Sequence, residues 1–135
     1  MSKERFQDWK YPEIIERKLH PKYHFLVHNK ERLKLGEKTD LGAFTYINAK
    51  NGVIIEKNVQ IGSHCSIYSI STIDKKEGKI IIKENAKIGA HSTIMPNVTI
   101  GKNAVIGAYS FVNKDIPDNA IAYGIPVKII RKIDK

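Results

Sequence analysis

The chain has little cysteine, few aromatic residues and no long hydrophobic run. Its 135 residues include one cysteine, one tryptophan and 8% aromatic residues in all. One cysteine excludes an intramolecular disulfide framework and a cysteine-cluster metal site, so we expect no bound metal. No stretch has the length of a membrane span or the pattern of a signal peptide, and we therefore expect a cytoplasmic protein.

Acidic residues are also scarce relative to basic ones. The chain has 14 Asp and Glu against 23 Lys and Arg, which gives a formal net charge of +9. Nucleic-acid binding would call for a basic patch with stacking aromatic residues or a known motif, and the sequence has neither. Attraction to a membrane surface, an anionic ligand such as coenzyme A or a nucleotide sugar, and charge that serves solubility alone remain open.

A six-residue repeat runs from Ile82 to Val112. An aliphatic residue opens each six, a small or modest residue takes the fifth place, and Asn often takes the fourth. This period fits neither an α-helix nor a plain strand, but it fits a short strand followed by a corner, three of which close a triangular coil. Asn tolerates the positive φ that such a corner needs, and glycine at the second place, as at Gly89, lets coils pass closely.

The same repeat defines the boundaries that we predict. Two earlier coils begin at Leu35 and Ile55, so the solenoid covers 35–117, with a loop at 73–81 and a tail over 118–135. The first 34 residues lack the repeat and are predicted to form a short helical cap, with helices over 12–20 and 23–35. Phe6, Trp9 and Tyr11 are expected to cover the open end of the solenoid, and the whole chain is one domain.

The repeats resemble the left-handed parallel β-helix of the hexapeptide acyltransferases. The closing stretch, with Gly107-Ala-Tyr-Ser110, Lys114-Asp115 and Gly124-Ile-Pro126, is similar to the galactoside and maltose O-acetyltransferase branch, and the fold is shared with sugar-nucleotide N-acetyltransferases. The resemblance implies an all-β, left-handed parallel β-helix, a homotrimer, and acetyl-CoA as cosubstrate. It also implies direct transfer, in a ternary complex, to a sugar or nucleotide-linked amino sugar for surface-polysaccharide synthesis. The alternative is a non-catalytic hexapeptide solenoid that binds a ligand or serves in assembly.

Six residues follow from this resemblance as contacts of the coenzyme, and Ser63 and His91 are further candidates. Backbone groups of Ala90 and Ala108 suit the amide-rich pantetheine arm, and Lys114, Lys128 and Arg131 suit the phosphates. For Lys128 and Arg131 a solvated basic tail is the alternative interpretation. The full set is Ser63, Ala90, His91, Ala108, Asn113, Lys114, Lys128 and Arg131.

The sequence departs from the family where the catalytic histidine belongs. That histidine follows the second coil, but here the stretch reads Tyr68-Ser-Ile-Ser-Thr-Ile-Asp-Lys75, with Thr72 at about its place. A hydroxyl needs a general base more than an amine does near neutral pH, so the loss favours an amino-sugar acceptor. Asn48 matches a family position for acceptor or acyl contact, and the two phase breaks add the candidates Lys50, Ser71, Thr72 and Asp74.

The register also predicts a column of corner residues. Leu41, Ile61, Ile88 and Ile106 open the same face of successive coils, so Phe44, His64, His91 and Tyr109 should stack, with His64 directly beside His91. His64 is the candidate general base, because histidine titrates near neutral pH and the loop histidine is missing. The structural alternative is that His64 and His91 fill a corner needing positive φ. Cys65, at an inward place, is interpreted as a buried structural thiol and not as an acyl-carrying nucleophile.

Overall fold

Three parallel sheets form the sides of a triangular solenoid of about five turns in the computed structural model, which describes residues 7–133. Sheet A contains β1 (Leu26–His28), β4 (Tyr46–Asn48), β7 (Ser66–Tyr68), β12 (Thr93–Ile94) and β15 (Phe111–Val112). Sheet B contains β2 (Leu33–Leu35), β5 (Val53–Ile55), β10 (Ile80–Ile82) and β13 (Thr99–Ile100). Sheet C contains β3 (Asp40–Leu41), β6 (Gln60–Ile61), β11 (Lys87–Ile88), β14 (Val105–Ile106), β16 (Ala120–Tyr123) and β17 (Lys128–Lys132).

The aliphatic residue that opens each six points into the prism, as the repeat predicts. In sheet C, Leu41 pairs with Ile61, Ile61 with Ile88, and Ile88 with Ile106. All four side chains are buried, and the opening residues of sheets A and B stack in the same way. Each such side chain contributes about 1.5–3 kcal/mol by leaving water, so the hydrophobic effect fixes the phase of every coil.

The corners confirm the conformational part of the prediction. Asn58, Asn85, Asn97 and Asn103 all have φ between 63° and 67°. Coils approach one another closely at the second place: a Cβ added to Gly89 would lie 2.4 Å from the backbone nitrogen of Ala108. Glycine is therefore required there by contact between coils and not by a positive φ.

Neither predicted N-terminal helix is present among the described residues. Residues 12–20 form turns and irregular backbone, and residues 23–35 contain β1, a 3₁₀ turn over Lys30–Arg32, and β2. β1 pairs in parallel with β4, and Val27 of this strand is buried in the core of the solenoid together with Phe25 just before it. Pairing with the next coil overrides the local helical pattern. The solenoid thus begins at Leu26 rather than Leu35.

The segment before β1 nevertheless lies over the open end of the solenoid. Trp9 donates its indole N–H to the carbonyl oxygen of Thr39 at 2.8 Å and packs edge-on against Tyr11. A cavity of about 530 Å³ lies between this segment and the first coil, with Phe25 and Leu41 among its lining residues. Phe6, which we expected to share this place, lies outside the described residues, as do the last two residues of the tail.

Two further segments depart from the regular coil. A hairpin of β8 (Ile70–Ser71) and β9 (Lys76–Glu77) projects where we predicted a loop at 73–81, so the departure begins earlier than the repeat indicated. At the other end of the chain, β17 turns back and runs antiparallel along β16. The solenoid therefore extends through β16, beyond the predicted boundary at residue 117. Within residues 7–133, no helix is long and apolar enough to cross a membrane.

Candidate functional site

A ladder of aromatic rings runs along the corner where sheet C passes into sheet A. We call it the aromatic corner; its residues are His24, Phe44, His64, His91 and Tyr109. All five are exposed and have φ between 59° and 62°, and neighbouring ring centroids lie 5.9, 5.3, 4.7 and 4.8 Å apart in that order. The predicted column of four is confirmed. His24 adds a fifth ring that the sequence missed, because it lies in the segment that we predicted to be helical.

Small residues precede the last four rings of this corner and line up in a parallel column. Ser63, Ala90 and Ala108, all predicted coenzyme contacts, occupy this column, and His91 stands beside it in the ladder. The carbonyl oxygen of Ser63 accepts the N–H of His91 at 3.0 Å, and that of Ala90 accepts the N–H of Tyr109 at 2.9 Å. Each carbonyl retains one lone pair, so the column offers a shallow track with backbone acceptors and little side-chain obstruction.

Lys128 and Arg131 point to the same side of β17, although they are three residues apart. A regular strand would place them on opposite faces, because side chains alternate. Here Lys128 pairs with Tyr123 and Arg131 pairs with Ile121, and a bulge between the pairs absorbs one residue. Tyr123 and Ile121 are both outward residues of β16, so the two cations share the outer face of sheet C. Lys128 is the one nearer the aromatic corner.

The structure does not bring all eight predicted coenzyme residues together in one chain. Asn113 and Lys114 are exposed and follow β15, at the end of sheet A that is remote from the aromatic corner. The remaining six lie at the aromatic corner or on the adjoining edge of sheet C. A ligand that touches both groups would therefore need two chains side by side or would have to cross sheet A.

The predicted acceptor residues do gather at one place, the corner between sheets A and B. We call it the hairpin corner, formed by 48–51 and 69–77. The backbone N–H of Asn51 donates to Ser69 Oγ at 3.0 Å, and the Asn51 side chain donates to a Glu77 carboxylate oxygen at 2.9 Å. Ser71 Oγ donates to Asp74 Oδ1 at 2.5 Å, which fixes the turn that carries Thr72. A cavity of about 270 Å³ lies in the hairpin and is lined in part by Ser71 and Thr72.

His64 lies away from this hairpin within one chain. It precedes β7, whereas the hairpin follows β7, so the two are separated by the width of sheet A, roughly 20 Å along the coil. The expectation that the corner of His64 borders the hairpin therefore does not hold inside a single chain. Both faces of the His64 ring are also occupied, by Phe44 on one side and His91 on the other.

A hydrogen-bonded cluster that the sequence did not reveal lies on the outer face of sheet A beside the hairpin corner. We call it the tyrosine–histidine cluster: His28, Tyr46, Asn48 and Tyr68. The Tyr46 hydroxyl lies 3.1 Å from His28 Nδ1 and accepts a hydrogen bond from Asn48 Nδ2 at 3.1 Å. Tyr68 packs its ring against that of Tyr46, with centroids 5.7 Å apart. Each member is half-buried.

Cys65 is buried in the prism, as predicted. Its thiol is fully covered and donates to the carbonyl oxygen of Gly89 at 3.3 Å. Burial raises the pKa of the thiol, chiefly because the thiolate would lose its hydration, and this disfavours the nucleophilic form. In residues 7–133, no three or more His, Cys, Asp and Glu side chains group in a way that could hold a metal ion.

Comparison with known proteins shows which families this chain is similar to. Residues 79–114 match the bacterial transferase hexapeptide family of six repeats. The galactoside O-acetyltransferase of Lactococcus lactis is 36% identical over 114 residues, which cover 73% of this chain and 55% of that protein. This chain therefore spans about half the length of that curated relative.

Solved structures show the same fold. A hexapeptide-repeat acetyltransferase of Vibrio cholerae, in complex with acetyl-CoA, has a TM-score of 0.77 at 24% identity, over 82% of this chain and 66% of that one. A mutant of AntD, an N-acyltransferase of Bacillus cereus in complex with dTDP and coenzyme A, has a TM-score of 0.71 at 24% identity, over 83% and 79%. This chain thus shares the left-handed parallel β-helix fold of these structures. Its resemblance in sequence is to the galactoside O-acetyltransferases.

Proposed function

We propose that this chain is an acetyl-CoA-dependent acyltransferase that acts on a sugar or a nucleotide-linked amino sugar. The observation that carries the proposal is the column of Ser63, Ala90 and Ala108 along the aromatic corner, in a chain related to galactoside O-acetyltransferases. The acyl group passes directly from the thioester to the acceptor in a ternary complex. We place the reaction in the cytoplasm and in the synthesis of surface polysaccharides.

The coenzyme lies along the aromatic corner in this proposal. Its pantetheine amides meet the backbone of the small-residue column, while Lys128 and Arg131 meet phosphate groups from the adjoining edge of sheet C. Such contacts are charge-assisted hydrogen bonds, which are stronger than neutral ones. The bulge in β17 supports this role, since it places both cations on one face where a single ligand can reach them.

A complete site forms between two subunits of a homotrimer in this proposal. Asn113, Lys114 and the hairpin corner lie across sheet A from the aromatic corner, so the hairpin corner of one subunit meets the aromatic corner of the next. The outward positions of the paired strands in sheet A support the contact, because none of them is Lys, Arg, Asp or Glu although the chain is strongly basic. These positions are Leu26, His28, Tyr46, Asn48, Ser66, Tyr68, Thr93 and Phe111. Light scattering that finds a stable, active monomer would contradict this assembly.

The acceptor is bound at the hairpin corner. Asn48, Lys50, Ser71, Thr72 and Asp74 offer hydrogen-bond donors and acceptors to sugar hydroxyls or an amine. His64, the candidate base from the sequence, lies on the coenzyme side in this arrangement, next to the hairpin of the neighbouring subunit.

The experiment measures the release of free coenzyme A thiol from acetyl-CoA in the presence of a panel of acceptors. The panel contains a methyl galactoside, maltose and a dTDP-linked 4-amino sugar, with acetyl-CoA alone as the blank. We expect release above the blank for at least one acceptor and an acetylated product of matching mass. Release at the blank rate for a broad panel, together with no binding of acetyl-CoA, would contradict the proposal.

A non-catalytic solenoid is the second candidate. The observation that favours it is the hairpin, which carries Thr72 near the place of the family's catalytic histidine and contains no histidine between Ile70 and Glu77. This candidate predicts that the protein binds acetyl-CoA or a sugar without thiol release.

A further inference from the structure

We infer that His28 is the general base of the proposed reaction, with Tyr46 and Asn48 as its positioning residues. The inference rests on the proposed function and names the side chain that replaces the missing loop histidine. It comes from the tyrosine–histidine cluster, in which the contact between His28 and Tyr46 joins the first two layers of sheet A across 18 positions in the sequence.

The hydrogen bonds of the cluster run in one direction as far as Tyr46. The backbone N–H of Lys50 donates to Asn48 Oδ1 at 3.1 Å, which fixes the side-chain amide so that Nδ2 faces Tyr46. Asn48 Nδ2 then donates to the Tyr46 hydroxyl oxygen at 3.1 Å. A hydroxyl oxygen has two lone pairs, so it can also accept a hydrogen bond from His28 Nδ1–H.

This arrangement orients the imidazole of His28. The contact between the Tyr46 hydroxyl and His28 Nδ1 admits either group as the donor. The proposed reaction uses the tautomer with the proton on Nδ1, in which Nε2 carries the free lone pair that a general base needs. Among the described residues, the structure gives His28 Nε2 no hydrogen-bond partner. The ring is held edge-on to Tyr46, with centroids 5.0 Å apart, so it is supported without being sandwiched.

The position of His28 suits the acceptor. Its strand neighbour across the sheet is Asn48, the predicted acceptor contact, and the neighbour of Asn48 is Tyr68, just before the hairpin. His28 therefore lies at the hairpin end of sheet A, whereas His64 lies at the opposite end. Glu16 anchors the chain directly after His28, because its carboxylate accepts the backbone N–H groups of Asn29 and Lys30 at 2.7 and 2.8 Å.

The proton balance of the step is simple. The acceptor oxygen or nitrogen forms a bond to the thioester carbonyl carbon while its proton passes to His28 Nε2. The carbon–sulfur bond then breaks, and the departing coenzyme thiolate takes that proton from the imidazolium, which leaves the acetylated sugar and free coenzyme A. Because a base is available, a sugar hydroxyl becomes an acceptor that this site can use.

The experiment compares His28→Ala, Tyr46→Phe and the control Tyr23→Phe with the wild-type chain. Tyr23 is an exposed tyrosine of the same segment that lies outside both the tyrosine–histidine cluster and the aromatic corner, so its variant loses a hydroxyl group without touching either. Each variant is assayed for thiol release with a methyl galactoside and with a dTDP-linked 4-amino sugar, with and without added imidazole. Thermal melting of each variant checks folding.

We expect His28→Ala to lower kcat with the galactoside by roughly 100-fold to 10,000-fold, the usual effect of removing a general base. Imidazole should restore part of this loss, which a purely structural role would not allow. Tyr46→Phe should lower kcat less, and Tyr23→Phe should match the wild type.

Other results would overturn the inference. One is a kcat of His28→Ala within threefold of the wild-type value. Another is a loss of kcat that imidazole does not relieve, in a variant whose melting temperature is unchanged. A third is a wild type that acetylates only the amino sugar and does so without any dependence on His28. If the wild type releases no thiol with any acceptor, the proposed function itself fails and the inference fails with it. An active wild type with an unaffected His28→Ala variant rejects only the inference.

Discussion

The imidazole rings of His64 and His91 stack with their centroids 4.7 Å apart and their planes 7° apart. Each belongs to the same corner of successive coils, and each has a positive φ that Asn would adopt equally well. The two residues therefore form a matched pair. Substituting each in turn shows whether His64, the candidate base from the sequence, has an effect on catalysis that His91 lacks.

His64→Asn and His91→Asn should both fold, and both should weaken acetyl-CoA binding by a similar, severalfold factor. The reason is that each ring borders the proposed coenzyme track and neither lies at the hairpin corner of its own chain. Steady-state kinetics with varied acetyl-CoA measure this effect. A fall in kcat of roughly 100-fold or more confined to His64→Asn would return the base role to His64 and exclude His28.

Removing both cations of β17 should weaken acetyl-CoA binding. Lys128→Ala combined with Arg131→Ala should raise the Kd by roughly tenfold, since exposed charged contacts are each worth about 1 kcal/mol or less. Isothermal titration with acetyl-CoA and with its dephospho analogue measures the effect, and the loss should be smaller for the analogue that lacks the terminal phosphate. Lys132→Ala is the matched control on the same strand, because the Lys132 ammonium group donates a hydrogen bond to the backbone carbonyl oxygen of Asp118. Equal losses for both ligands would mean that these cations do not recognise that phosphate.

Glu16 should make the stability of the chain depend on pH in acid. The backbone N–H groups of Lys30 and Asn29, in that order of importance, hold the pKa of its carboxyl below the usual range. Its contribution is therefore fully present above the ordinary pKa of a glutamate and is lost as the pH falls through the lowered value. Glu16→Gln should melt at a lower temperature than the wild type at pH 7, and the gap should close as both are taken below about pH 4. A gap that stays constant down to pH 3 would show that the carboxylate charge has no role in anchoring this segment.

The repeat predicted most of the solenoid because burial of one aliphatic residue in six fixes the strand, the corner and the stacking together. It failed at β1, where a single inward residue, Val27, gives no period to detect, and pairing with β4 decides the conformation. The column of Ser63, Ala90 and Ala108 could be predicted from the sequence for the same reason as the core, because its residues occupy one place of the repeat.

Other parts of the candidate site depend on contacts that no local pattern contains. The hydrogen bond of His28 with Tyr46 links a strand without the repeat to the coil above it. The bulge that aligns Lys128 with Arg131 is a property of the pairing between β16 and β17. His64 and the hairpin are separated by the width of sheet A. This separation can be read from the sequence only after each residue has been assigned to a particular corner of the coil.

Thermal melting with added acetyl-CoA tests whether the chain binds the coenzyme along the aromatic corner. A ligand that binds only the native state stabilises it by about 2.7 kcal/mol at 100 times its Kd, which should raise the Tm by several degrees in a chain of this size. We expect this rise for the wild type and a clearly smaller rise for the Lys128→Ala, Arg131→Ala variant at the same concentration. An unchanged Tm for the wild type at millimolar acetyl-CoA would contradict it.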